Sequence, residues 1–120
     1  MADIGRTTRH VMVAASLDGI TLPDPNSGSS DRHLQDIQTP GALANSAVLF
    51  FRVQHSGDFA LTVRVNDRHV LRGHALVDPS PSFFRFAIKG TLKATNEIVL
   101  SGTGRNSVTI RDVFIMYAVA

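Results

Sequence analysis

The sequence predicts an all-β fold, a jelly-roll β-sandwich of about eight antiparallel strands. Three observations point there. Helical periodicity is nearly absent, while apolar and polar residues alternate along most of the chain. Turn residues interrupt the alternation about every ten residues, the spacing of sandwiches and barrels. One long early connection fits a jelly roll of two packed sheets. The 120 residues suit one domain, 1–120.

The elements follow in order. His10 to Leu22, HVMVAASLDGITL, reads as a strand, a turn near Asp18-Gly19 and a short continuation. Pro23 to Ser46 shows no period and holds three of the five prolines, so a long loop is expected over about 23–46. Ala47 to Gln54 is a strand, apolar on both faces in its first half, and His55 to Asp58 turns the chain. Phe59 to Leu76 is the clearest hairpin. A three-residue loop of Asn66, Asp67 and Arg68 sets Val63 against Leu71 and Thr62 against Arg72, keeping the apolar residues on one face. Val77 to Ser82 is a connection, because its two prolines exclude a central strand. Phe83 to Gly90 is a strand with Phe84, Phe86 and Ile88 on one face. A link leads to a short strand over Asn96–Gly102, and a turn at 103–106 leads to the last strand, Ser107 to Ala120.

Composition narrows the function. The chain contains no cysteine, which removes disulfides, thiolate metal sites and a cysteine nucleophile. Ten of the twelve basic residues are arginine and nine of the ten acids are aspartate, for a formal charge of +2. The basic residues are spread along the chain, so no nucleic-acid partner is expected. Arginine does suit planar recognition of carboxylates or phosphates. No apolar run reaches membrane-span length, and MADIGRTTRH lacks a signal-peptide pattern. A soluble protein is expected, cytoplasmic or released without a cleaved signal peptide, with no membrane partner. No nucleophile elbow, phosphate-cradling glycine loop or metalloprotease motif occurs, so no enzyme is expected.

FALTVRVNDRHV, FFRFAIKGTLKATNEIVLSG and VTIRDVFIMYA carry a family likeness. One strand ends in Val-Asn and a turn residue, a linker leads into Asn-Glu-Ile, and the last strand carries Asp-Val before an apolar run. Over about residues 58–120 this resembles the galactose-binding-domain-like jelly roll of carbohydrate-binding modules. The resemblance implies an eight-stranded sandwich and often sugar binding, sometimes with a structural calcium. This chain departs from the common sugar binders, having no Trp and a single Tyr, Tyr117.

Three sets of residues are candidates for function. Arg64, Arg72 and His74 would share a face of the hairpin with Thr62. With Asn66, His33 and Asp36 they could bind a carbohydrate or another polar or anionic ligand through fork-like hydrogen bonds. Asp24, Asn26 and Asp31 sit in DPNSGSSD, whose oxygen-rich turns could hold calcium, although the alternate acids and closing Glu of an EF-hand are missing. Calcium is the one cofactor entertained. The five histidines show no ligand spacing.

The third set comes from the chain's end. Val113, Ile115, Tyr117 and Val119 fall on one face of the last strand, and Phe114, Met116 and Ala118 on the other. A sandwich needs apolar residues on its inner faces only. An outer face is therefore expected to be covered by the long loop or by another subunit, with Phe114, Met116, Phe50 and Met12 packing across a homo-oligomer. A bulge near Arg111-Asp112 would exchange the two faces. The functional expectation is a non-enzymatic, lectin-like carbohydrate-binding protein acting as a homo-oligomer. The alternative is a structural jelly-roll building block of a larger assembly, such as a virion, tail or shell, without a small ligand.

Overall fold

The computed structural model describes residues 9–55, 57–76, 83–88 and 90–119. The expected connection at 77–82 lies outside them. Nine strands are present: β1 (Arg9–Ser16), β2 (Ile20–Leu22), β3 (Asp31–Gln38), β4 (Ala42–His55), β5 (Phe59–Val65), β6 (Arg68–Leu76), β7 (Phe83–Ala87), β8 (Thr95–Thr103) and β9 (Val108–Val119). They form two antiparallel sheets, β1-β9-β4-β7 with β2 also on β9, and β3-β8-β5-β6. β1 and β2 run along β9 as one interrupted strand, from Arg9 opposite Val119 to Leu22 opposite Val108. Counted so, the eight strands lie in the order 1-8-3-6 in one sheet and 2-7-4-5 in the other, the crossing pattern of a jelly roll.

The alternation explains the core. In β5, Phe59, Leu61, Val63 and Val65 are buried, and Ala60, Thr62 and Arg64 between them are not. In β9, Val108 and Ile110 point inward, then Val113, Ile115 and Tyr117 do. The change of parity occurs at Asp112, whose φ of 53° marks the expected bulge. An inward Asp112 would have buried a charge, so the bulge keeps both halves of the strand correctly faced. Phe51 and Phe84, opposite one another on β4 and β7, stack at 5.3 Å inside the sandwich. One cluster of buried side chains joins both sheets. Each large member contributes about 1.5–3 kcal/mol by leaving water.

Two expectations need correction. The segment 23–46 is not a long loop, since it contains β3 and the start of β4. β3 was hidden because it is an edge strand with only Leu34 and Ile37 buried, three residues apart. A bulge with Asp36 at φ 59° adds the extra residue and breaks the period of two. The β5–β6 hairpin has the expected pair Val63–Leu71, but its loop has two residues. Val65 pairs with Arg68, and Asn66 and Asp67 have φ of 49° and 68°, the signature of a type I′ turn. A register shift between Val63 and Arg64 makes up the missing residue.

Candidate functional site

A network around Asn96, which is 2% exposed, builds one end of the four-stranded sheet. Its Nδ2 donates to the carbonyl of Ile37 (2.9 Å), Thr39 Oγ1 (2.9 Å) and the carbonyl of Lys93 (3.0 Å). Its Oδ1 accepts from Lys93 N (2.7 Å) and Asn66 Nδ2 (2.8 Å). Asn66 also donates to the Thr91 carbonyl and accepts from Glu97 N. The two amides thus tie β3, the β5–β6 turn and the start of β8 together. Asn66 had been a candidate ligand group; the structure commits both ends of its amide to the scaffold.

Over this network lies a cleft of about 390 Å³ lined by Gln35, Asp36, Asn66, Asp67, Lys93, Thr95, Asn96 and Glu97. Beside it, Glu97 Oε2 receives Gln35 Nε2 (3.1 Å) and stands 3.0 Å from His33 Nδ1. These hydrogen bonds hold the Glu97 carboxyl below its ordinary value of 4.5, those from His33 first. A depressed carboxylate stabilises the fold above its ordinary pKa, and that stability is lost as pH falls through the lowered value. Glu97→Gln is therefore expected to lower stability modestly at neutral pH, to change it little near the acid end, and so to flatten the acid limb of the stability curve. Calorimetric midpoints from neutral pH down to about pH 2 check this; an acid limb as steep as the wild type's would contradict it.

The six candidate ligand residues divide. Asp36 and Asn66 line the cleft. His33 adjoins it through Glu97, and Arg64 approaches Asp67 at 4.0 Å. Arg72 turns away to His69 Nδ1 at 3.1 Å. His74 does not share the Arg64 face. Gly73, at φ 57°, opens a second bulge that sets His74 opposite Leu61, with its ring 5.8 Å from Phe84 of the other sheet. Gln35, Lys93 and Glu97 were missed. The adjacent Asn96-Glu97 pair was the available signal, since alternation puts one inside and the other outside.

In the early loop, Asp24 Oδ1 accepts from Asn26 N at 2.8 Å, which lowers the Asp24 carboxyl below 3.8. Asp31 Oδ1 accepts from Ser29 Oγ at 3.2 Å. Asp24, Asn26 and Asp31 are thus engaged in local turns. No group of three or more His, Asp or Glu suited to a metal occurs among the described residues.

A second surface is the outer face of the five-stranded sheet. Met12, Met116 and Val48 follow one another across β1, β9 and β4, and Ala14, Phe114 and Phe50 form the adjoining row. Phe83 extends it, 5.8 Å from Phe50. Met12 is 56% exposed and Phe83 52%, while Phe50, Phe114 and Met116 are half-buried. The four candidate interface residues therefore share one face. None of the described strands lies across it, because the segment expected to cover it forms β3 in the other sheet.

No protein-family model matches the chain, and no curated protein matches it significantly. Among solved structures, VP2 of infectious bursal disease virus in a subviral particle superposes with a TM-score of 0.60. Identity is 11%, over 95% of this chain and 33% of VP2. A chain of the T13 particle of the same virus gives 0.60 at 14% identity, over 93% and 31%. The CBM36-1 domain of a xylanase from the hindgut metagenome of Trinervitermes trinervoides gives 0.45 at 12% identity, over 90% and 96%, too loose to support an argument. The likeness to the viral chains is one of fold alone, and this chain spans about one third of their length. No helix among the described residues is long and apolar enough to cross a membrane.

Proposed function

We propose that this chain is a non-enzymatic jelly-roll building block that assembles with copies of itself through the outer face of its five-stranded sheet. The contiguous apolar array of Met12, Met116, Val48, Phe50, Phe114 and Phe83 carries this reading. Apolar patches of this kind, rimmed by polar groups, mark interaction surfaces. The rim here holds Arg85 beside Phe50 and the Arg52–Asp112 ion pair of 2.6 Å. An apolar centre with both charges at its edge can pack on its own two-fold copy. The shared fold with chains found in viral particles agrees with this use. Phe114→Asp places a charge at the centre of the face, where burial without a partner is prohibitive. The variant is expected to remain folded and to sediment as a monomer while the wild type does not. A wild-type mass in the folded variant would reject the interface.

A second reading rests on the cleft over Asn96. Asp36 and Lys93 line it, and their charged side-chain groups have no partner among the described residues. Carboxylate, ammonium and amide groups in one cleft suit the hydroxyls of a carbohydrate. A glycan array would show saturable binding to one glycan class that Asp36→Ala abolishes. No binding, or binding indifferent to that change, would dismiss the second reading and leave the assembly reading standing.

A further inference from the structure

The outer face of the five-stranded sheet changes character at the Asp112 bulge. Beyond the apolar array, Arg52 of β4 stands opposite Arg111 of β9. In the next row Gln54 faces Thr109, which faces Thr21 of β2. Arg52, Gln54, Thr109 and Arg111 line a cleft of about 400 Å³ together with Val53. Thr21 Oγ1 and Thr109 Oγ1 lie 3.3 Å apart along its border.

Two like charges in directly opposed positions destabilise a sheet. One carboxylate answers them: Asp112 Oδ2 accepts from Arg52 Nε, leaving the terminal nitrogens of that guanidinium outside the bond. Arg111 is exposed and has no hydrogen bond or ion pair among the described residues. Its guanidinium instead lies against the backbone at Gly19, where an added Cβ would stand 3.4 Å from Cζ. The cluster therefore keeps one positive charge unanswered, with two planar donor forks on adjacent strands and amide and hydroxyl groups beyond them.

We infer that this cleft binds the tetrahedral oxyanion of a small ligand, a phosphoryl or sulfo group. The group sits between the guanidinium groups of Arg52 and Arg111, and the rest of the ligand extends over Gln54 and Thr109. Guanidinium forks match such oxygens two at a time, and the anion replaces the repulsion between the arginines with two charge-assisted contacts. The site lies apart from the cleft over Asn96 and uses none of its residues.

The test is a titration of the arginine Nε–Hε resonances with inorganic phosphate and with sulfate, against chloride and acetate at matched ionic strength. Saturable shifts at Arg52 and Arg111 with phosphate or sulfate are expected, and the tighter of the two assigns the phosphoryl or sulfo source. Arg111→Gln should weaken binding about tenfold or more, and Arg111→Lys, which keeps the charge without the fork, should fall between. Because Arg111 has no internal partner, the thermal midpoint should not fall in either variant, and Arg111→Gln, which relieves the repulsion with Arg52, should hold or raise it. Shifts that never saturate, that acetate or chloride reproduces, or that survive Arg111→Gln would overturn the inference. The readout is binding and not mass, so its failure leaves the assembly reading standing, and the reverse also holds.

Discussion

Asn96→Ala is expected to cost about 3–5 kcal/mol of folding stability, a large share of what a domain of this size possesses. The substitution removes five hydrogen bonds, three donated and two accepted. It also strands partners that water does not reach. The carbonyl of Ile37, a residue only 5% exposed, is one of them, while the Thr39 hydroxyl keeps its bond to the Lys93 carbonyl. A buried group without a partner costs about 1–3 kcal/mol, which is more than a typical bond contributes when made. The loss should be cooperative, because Asn66 depends on Asn96 and itself holds Glu97 N and the Thr91 carbonyl. Urea unfolding of the two proteins measures the difference directly. A loss below about 1 kcal/mol would mean that water or relaxation replaces the network.

Gly102→Ala is expected to destabilise by a similar amount, about 3 kcal/mol or more, for a different reason. Gly102 stands opposite Leu61 where β5 meets β8. A Cβ there would run into the carbonyl oxygen of Ala60 and the ring of Phe59. Phe59 is 2% exposed and belongs to the core cluster, so its ring cannot swing out without opening the end of the sandwich. The adjacent carbonyl is backbone and cannot yield without distorting the β5–β8 ladder. The thermal midpoint should fall well below that of wild type, with the far-ultraviolet spectrum unchanged at low temperature. A midpoint within a degree or two of wild type would show that the strands part more easily than the packing implies.

These two positions show what could be read from the sequence and what could not. Alternation in Phe59–Val65 and Val108–Val119 revealed the strands, because each inward residue must be apolar, but which face of the last strand points inward was settled only by the bulge at Asp112. The same rule failed for β3, where a bulge put the two buried residues three apart and an edge position left the rest polar. The turn at Asn66-Asp67 was misjudged by one residue because a bulge further along β6 restored the same register. That Met12, Phe50, Phe114 and Met116 share an outer face was legible because three strands were apolar on both faces. The candidate ligand residues were only partly legible. Asp36 and Asn66 meet at one cleft, but His74 is carried to the other side by Gly73, and no local pattern announces which residue a glycine bulge will turn. The arginines of the second cleft, on β4 and β9, are far apart in sequence and became a pair only through the jelly-roll order.

The central claim is that the apolar outer sheet face is covered by a second copy of the chain. Light scattering on the purified wild-type protein over a wide concentration range tests it most directly. A discrete multiple of 13.0 kDa, or a larger closed particle, that persists on dilution is expected. A mass of 13.0 kDa at every concentration, from a chain that is folded and soluble, would contradict it.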